Sequence, residues 1–325
     1  MLRAAAEPTR LRVLALLAGG ELSVKDLTRI LAQSQPRLSR HLKLMAEAGL
    51  VERMRDGSWA YFQLVDSGPR GALVQALLDS MDPDDPGLAR DRQRATTVKR
   101  EREAAAQAYF RDNAAEWDRI RSLHVAEGDV DAAVREAVGR GPFELLLDLG
   151  TGTGRMLELL AGRYARGLGL DMNHTMLAYA RGRLDAAGID KAAVRHGDLY
   201  DLALDGGIAD AVVMHQVLHF LTEPALALRE AARILAPGGR LVVVDFAPHT
   251  LDFLREEFAH ERLGISDTQM AQWTREAGLE LLSTRRLAQG GPDAKTSLVV
   301  VVWTATRPKD GITVGHNAQR NAIEA

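Results

Sequence analysis

The chain has 325 residues, 46% of them hydrophobic and 26% charged, with a net charge of −3 and no cysteine. That balance can bury a core and excludes wholesale disorder, and a length of this order predicts about two domains. The missing cysteine excludes disulfide scaffolds, thiolate metal sites, Cys nucleophiles and thiol redox switches.

No apolar run approaches the roughly 18 residues of a membrane span. Arg10 and Arg12 interrupt the one N-terminal stretch that could form a signal-peptide core, so a cytoplasmic protein without a membrane partner is expected. Residues 1–65 hold ten Lys/Arg against six Asp/Glu, whereas the rest of the chain is mildly acidic. A basic front on an acidic body directs a polyanion partner to the front alone.

In chain order, the spacing predicts a helix over about 8–18, with Leu11, Leu14, Leu17 and Ala18 on one face and Gly19-Gly20 as its stop. Ser23 caps a second helix, and Asp26 three positions on completes a capping-box pattern. Its inward residues are Val24, Leu27, Ile30 and Leu31. Ser34 caps a third, with Pro36 in its first turn, and Gly49 ends it. Leu38, Leu42 and Met45 recur at i, i+4, i+7 and face the core, which turns Gln35, Arg37, Ser39, Arg40, His41 and Lys43 outward. Guanidinium and amide groups on such a face can pair with guanine or adenine edges, while hydroxyl and ammonium groups can hold phosphates.

Strand-like residues 51–55 and 58–64 flank an Asp56-Gly57 turn, a strong hairpin signal. A hairpin beside a recognition helix is a wing, from which Arg53, Arg55 and Tyr61 could reach the DNA backbone or minor groove. A further apolar helix over 69–81 carries Leu73, Val74, Leu77, Leu78 and Met81. With helix one it offers more apolar stripe than 65 residues can cover, which reads as a homodimer interface presenting two recognition helices to a two-fold, pseudo-palindromic operator.

The runs Glu7-Pro8-Thr9-Arg10-Leu11, Glu21-Leu22-Ser23-Val24-Lys25-Asp26-Leu27 and Ser34-Gln35-Pro36-Arg37-Leu38-Ser39-Arg40-His41-Leu42-Lys43 resemble the ArsR/SmtB family of winged-helix repressors over about residues 1–80. Metal-sensing members place cysteines in the stretch that here carries Ser23 and Lys25, so thiolate sensing of arsenite, cadmium or lead is chemically closed to this chain. No metal cofactor is expected, and the signal must come from elsewhere in the chain.

Asp82-Pro83-Asp84-Asp85-Pro86-Gly87 breaks the helical pattern, and an Ala-, Arg- and Glu-rich connector follows to about Arg121. After Pro142 buried strands alternate with amphipathic helices, the pattern of a parallel α/β sheet. The strand over 143–149 runs into Asp148-Leu149-Gly150-Thr151-Gly152-Thr153-Gly154, a strand-to-helix turn in which glycines let a ligand approach the backbone. Arg155 stands where a dinucleotide fingerprint wants its third glycine. A second strand ends at Asp171, placed to accept from two ribose hydroxyls, and a third leads to His196-Gly197-Asp198-Leu199, where Asp198 could take an exocyclic amine. A fourth strand over 210–214 runs into His215-Gln216-Val217-Leu218-His219. Then come a helix over 224–235, a Pro237-Gly238-Gly239 stop, a strand over 240–244, and strands near 279–287 and 296–306.

This succession resembles the Rossmann-like class I S-adenosylmethionine-dependent methyltransferase fold over about residues 140–306. By that resemblance Asp148, Gly150, Thr151, Gly152 and Gly154 surround the methionine part of the ligand. Asp171 holds the ribose with Met172 alongside, Asp198 and Leu199 frame the adenine, and His215 and Gln216 line the near wall. Tyr109-Phe110 and Trp117-Asp118 resemble a lid over the cofactor.

The expected fold is thus α/β plus a small winged-helix domain. Its divisions are a DNA-binding and dimerisation domain over 1–81, a linker and helical lid over 82–140, a methyltransferase-like domain over 141–308 and a disordered tail over 309–325. Two functions remain open. One is a transcriptional repressor whose rear domain senses S-adenosylhomocysteine or S-adenosylmethionine, resembling regulators of methionine-cycle genes. The other is a small-molecule methyltransferase that regulates its own operon, for which His215, His219, His249 and His260 are the available bases. The His-Gln-Val-Leu run after the fourth strand disfavours DNA base methylation, and the absence of cysteine excludes arsenic methylation.

Overall fold

In the computed structural model, which describes residues 1–56, 59–117, 127–287 and 298–309, the front of the chain builds its elements where local chemistry prescribes them. Helix α1 spans Leu2–Ala5. Glu7 starts α2 (Pro8–Leu17) by accepting the Arg10 N–H at 3.0 Å. After β1 (Leu22–Ser23), helix α3 (Val24–Leu31) opens with the expected capping box: the Asp26 N–H donates to Ser23 Oγ at 3.2 Å and the Ser23 N–H to Asp26 Oδ2 at 3.1 Å. Helix α4 (Gln35–Glu47) has Ser34 at its N-cap position, but without the side-chain cap bond expected of it.

Strands β2 (Val51–Asp56) and β3 (Trp59–Leu64) pair antiparallel with Val51 opposite Leu64, and β1 joins the other side of β3. Gly57 and Ser58 of the expected turn lie outside the described residues. Helix α5 covers Gly68–Asp79 and α6 Pro86–Asn113. Leu14, Leu27, Ile30, Leu38, Leu42, Met45 and Leu50 are fully buried and form the centre of this core.

The chain divides into two compact units. The first is Met1–Tyr109 together with two later segments, Phe220–Glu223 and Pro248–Gly264; the second is the remainder. The first therefore runs past the expected boundary at Met81, because α6 is packed rather than solvated along its early turns. Arg12 makes a bidentate pair with Asp91, both contacts 2.6 Å, and Asp91 is buried. Arg94 donates to the Ile30 carbonyl at 3.1 Å, and Val98 enters the core. Leu14, Leu17 and Val74 of the supposed dimer stripe are buried within this unit, and Leu77, Leu78 and Met81 pack half-buried against its core. Part of the supposed stripe is thus covered inside the chain, while Leu11, Leu73, Leu77, Leu78 and Met81 keep partial exposure.

The second unit is a seven-stranded sheet. Its strands are β4 (Phe143–Leu149), β5 (Tyr164–Asp171), β6 (Ala192–His196), β7 (Ala209–His215), β8 (Leu235–Phe246), β9 (Glu280–Leu287) and β10 (Val300–Thr306), in the order β6-β5-β4-β7-β8-β10-β9. All pair in parallel except β10, antiparallel to both neighbours. Pro237-Gly238-Gly239 interrupts β8, where pairing with β7 jumps from Ala209/Leu235 to Ala211/Arg240. The helices are α7 (Glu127–Val138), α8 (Arg155–Leu159), α9 (His174–Ala186), α10 (Pro224–Ile234) and α11 (Asp267–Glu276). Strand order reverses between β4 and β7, so the carboxyl end of β4 is the switch point at which such sheets hold ligands. Among the described residues no helix is long and apolar enough to cross a membrane. Of the expected tail only Lys309 lies within the described residues.

Candidate functional sites

On α4 the buried positions are Leu38, Leu42 and Met45, so Gln35, Arg37, Ser39, Arg40 and Lys43 stand exposed together, as the spacing requires. Lys43 has Glu47 3.8 Å away, one turn on. His41 departs from the expectation. Lying beside Met45 at the edge of the core stripe on the helical wheel, it is half-buried, with Nδ1 3.7 Å from the Glu7 carboxylate that caps α2. Arg53 is exposed on β2. Arg55 lies on the same strand opposite Ala60, its side chain outside the described residues.

Tyr61 corrects the sequence reading. Alternation on β3 does turn it away from the core that Phe62 joins, but that second face is also covered, and Tyr61 is only 3% exposed. Its hydroxyl donates to the Glu261 carbonyl at 3.2 Å and accepts from Arg255 at 3.0 Å. Burial raises its pKa to about 12, with Glu261 adding to the shift. It is a packing residue and not a presented DNA contact.

In the second unit the turn after β4 is built by three glycines, all with positive φ: Gly150 at 74°, Gly152 at 51° and Gly154 at 79°. The Gly150 and Thr151 N–H groups donate to the Leu170 carbonyl at 2.8 and 3.0 Å, and Thr151 Oγ1 donates to buried Asp148 at 2.6 Å. These bonds lay the turn across the end of β5. Asp171, at the tip of β5, accepts the Gly152 N–H at 2.9 Å and the Asn173 N–H at 2.8 Å. Burial pushes the Asp171 carboxyl above the usual aspartate range, while those N–H bonds, that of Met172 and the nearby His196 ring pull the other way.

The glycines differ in what a Cβ would meet. At Gly150 it would fall 2.4 Å from Val217 Cγ2, and at Gly154 3.1 Å from Ala180 Cβ on α9. At Gly152 it would meet only the Trp117 indole, at 3.7 Å. Two glycines therefore serve close packing, and the middle one opens onto space bordered by an aromatic ring. Phe110 supports that ring edge-to-face, with centroids 5.2 Å apart. Trp117 of the expected lid thus lies at the turn; Asp118 is outside the described residues.

Around this turn, Met172 is 39% exposed, Leu199 is buried, and Asp198 is half-buried with Oδ1 accepting the Tyr200 N–H at 2.9 Å. His215 ends β7 half-buried, and buried Gln216 follows with φ of 53°, a left-handed conformation uncommon for glutamine and often found at functional sites. His174 and His196 stack with centroids 4.6 Å apart, a pair the sequence reading missed because they are 22 positions apart. Of the four candidate bases, His219 is fully buried, its Nδ1 2.7 Å from Asp245 Oδ1, so it ties the ends of β7 and β8. His249 and His260 belong to the segment incorporated in the first unit. Among the described residues no group of three His, Asp or Glu could hold a metal ion.

Residues 7–53 match the family model for bacterial regulatory proteins of the arsR family, and residues 147–243 match that for a methyltransferase domain. The chain joins an ArsR-family domain to a methyltransferase domain. A demethylmenaquinone methyltransferase of Clavibacter sepedonicus is 33% identical over 153 residues, 46% of this chain and 62% of that protein. The arsenic resistance transcriptional regulator ArsR1 of Pseudomonas putida is 40% identical over 78 residues, 23% of this chain and 61% of the regulator. The chain thus spans less than two thirds of either relative. A chain from the complex of the Haloferax volcanii Trm112 methyltransferase activator with a methyltransferase superposes with a TM-score of 0.51 at 24% identity, covering 61% of this chain and 97% of that one, a likeness of fold. The ArsR match contains all of α4, and the methyltransferase match runs from the end of β4 into β8, enclosing the glycine turn and Asp171.

Proposed function

We propose that the chain is a DNA-binding transcriptional repressor whose methyltransferase domain binds S-adenosylhomocysteine or S-adenosylmethionine as effector, acting on genes of the methionine and S-adenosylmethionine cycle. The observation that carries this reading is the presence in one chain of an exposed basic face on α4 and a glycine turn whose middle position faces open space beside Trp117. The donor set suits an adenosyl nucleoside. Asp171 would take the ribose diol, since its two carboxylate oxygens offer about four acceptor sites and the backbone N–H groups of Gly152, Asn173 and Met172 do not fill them. Asp148 and the turn from Gly150 to Gly154 would receive the amino-acid part, Asp198 and Leu199 the adenine, with Met172 alongside the ribose and His215 and Gln216 as the near wall. S-adenosylmethionine, when bound, supplies a methyl group on a sulfonium; the residues named here bind and orient.

On DNA, Arg37 and Arg40 would read base edges and Gln35, Ser39, Lys43, Arg53 and Arg55 would hold edges or phosphates. A homodimer on a pseudo-palindromic operator would present two copies of α4. Regulation requires only that the ligand bind two domain arrangements with different affinity. Titration of the full chain with each nucleoside by calorimetry, followed by anisotropy measurements on an operator fragment selected from genomic DNA, tests the reading. Ligand-dependent operator affinity without turnover supports it, and saturation of the site with unchanged operator affinity rejects it. The identity with a demethylmenaquinone methyltransferase favours a second reading, a working small-molecule methyltransferase. Methylated product together with an unresponsive operator would establish that reading instead.

A further inference from the structure

Two segments leave the methyltransferase sheet at the carboxyl ends of β7 and β8 and are part of the winged-helix unit: Phe220–Glu223 and Pro248–Gly264. The longer one departs and returns at a single point, where the Ile265 N–H donates to the Phe246 carbonyl at 2.8 Å. Connecting loops ordinarily run over the surface with their charges in water. This one buries Leu254 and Leu263 completely and Arg262 to 5% exposure.

The Arg262 guanidinium pairs with Glu21, donates to the Thr222 carbonyl at 3.0 Å and lies 6.0 Å from the centre of the Tyr61 ring. Arg102 of α6 bridges Glu261 and the capping-box Asp26, both at 2.8 Å. Tyr61 of β3 is held by the Glu261 carbonyl and by Arg255. In the shorter segment Glu223 pairs with Lys99 at 2.7 Å. Apart from the Arg262–Thr222 bond, which ties the two segments together, these contacts end on Glu21 at the entry to α3, on Tyr61 of the wing or on α6, and none on the exposed face of α4. The roots of both segments are joined by the buried His219–Asp245 pair, and Val217, three positions before Phe220, is the side chain against which Gly150 of the ligand turn packs.

Burying an ion pair gains little stability over apolar side chains of the same volume, since desolvation offsets most of the attraction; its best-attested use is to fix register. Burial pulls the Arg262 pKa down to about 10, still high enough to keep it charged at neutral pH. A charged clasp in a loop is therefore a directional device more than a source of stability.

We propose that the two segments form a strap that carries occupancy of the glycine turn to the wing and α3, with Arg262, Glu21 and Tyr61 as its positioning residues. The strap rests on the effector reading above and names its route. It acts on the wing and the entry to α3 and leaves the DNA-reading face of α4 open.

The test uses the full-length chain, S-adenosylhomocysteine and S-adenosylmethionine as probes, and operator anisotropy with and without each. The double variant Glu21→Met/Arg262→Met replaces the pair by apolar groups that preserve folding, and Tyr61→Phe removes one hydroxyl. In both, nucleoside affinity and nucleoside-free operator affinity stay within about threefold of the parent, while the ligand-induced change in operator affinity, typically about 5–150-fold for coupled sites, falls towards one. Unchanged coupling in the two folded variants, judged by melting temperature, overturns the strap and leaves the effector reading standing. A parent protein that binds nucleoside without any change at the operator overturns both.

Discussion

Three glycines of one turn divide the work of shape and of access. At Gly150 a Cβ would overlap Val217, so Gly150→Ala is expected to lower the stability of the methyltransferase domain by about 1–3 kcal/mol, read by thermal melting. At Gly152 the neighbouring space is open, and the strain of a β-carbon at positive φ costs about 1–2 kcal/mol. Gly152→Val should therefore fold with its melting temperature lowered by that strain alone, yet bind nucleoside at least about tenfold more weakly, a loss of about 1.4 kcal/mol. Asp171→Asn should cost about 1.5–3 kcal/mol of nucleoside affinity through lost charge-assisted bonds. The raised pKa of Asp171 fixes the sign of a pH effect. The ionised carboxylate is the diol acceptor, so binding weakens as pH falls through that raised value, with proton release on binding in that window. Calorimetry across mildly acidic pH should show this slope in the parent and none in Asp171→Asn.

Among elements, α4 is the one whose function was most legible. Its apolar residues at i, i+4 and i+7 determine the buried side, so Arg37, Ser39, Arg40 and Lys43 had to face outward. Arg37→Ala or Arg40→Ala should weaken specific DNA binding by about 1–3 kcal/mol and relax base preference, with nucleoside titrations unchanged. The wing was half legible. Alternation along β3 shows which side Tyr61 occupies, but local pattern cannot show that residues 255–262, some two hundred positions away, cover that side. His41 was misjudged for a smaller reason, since a residue next to Met45 at the border of the core stripe is partly covered and meets Glu7. The glycine turn and the acid at the tip of β5 were legible because each demands a particular backbone chemistry. Trp117 was anticipated at that turn only through the resemblance to a lid, since no local pattern of residues ties it to Gly152.

At the scale of the whole molecule, composition gave α6 away as a helix but misled about its role. Few large apolar residues suggested a solvated spacer, whereas Val98 and the Arg12–Asp91 pair are enough to seat its first turns on the winged helix. Asp91→Asn would weaken that seating, with an expected loss of about 2–3 kcal/mol by denaturant unfolding, because Arg12 loses a charged partner. The seating also bears on how the molecule can be taken apart. A fragment ending at Met81 would lack Val98 and Ala95, which join the core of this unit, and should self-associate more strongly in sedimentation runs than a piece ending at Tyr109, which keeps them. Stickiness found in the shorter piece would be a wound made by the scissors, and no guide to how many copies of the intact protein meet on a promoter.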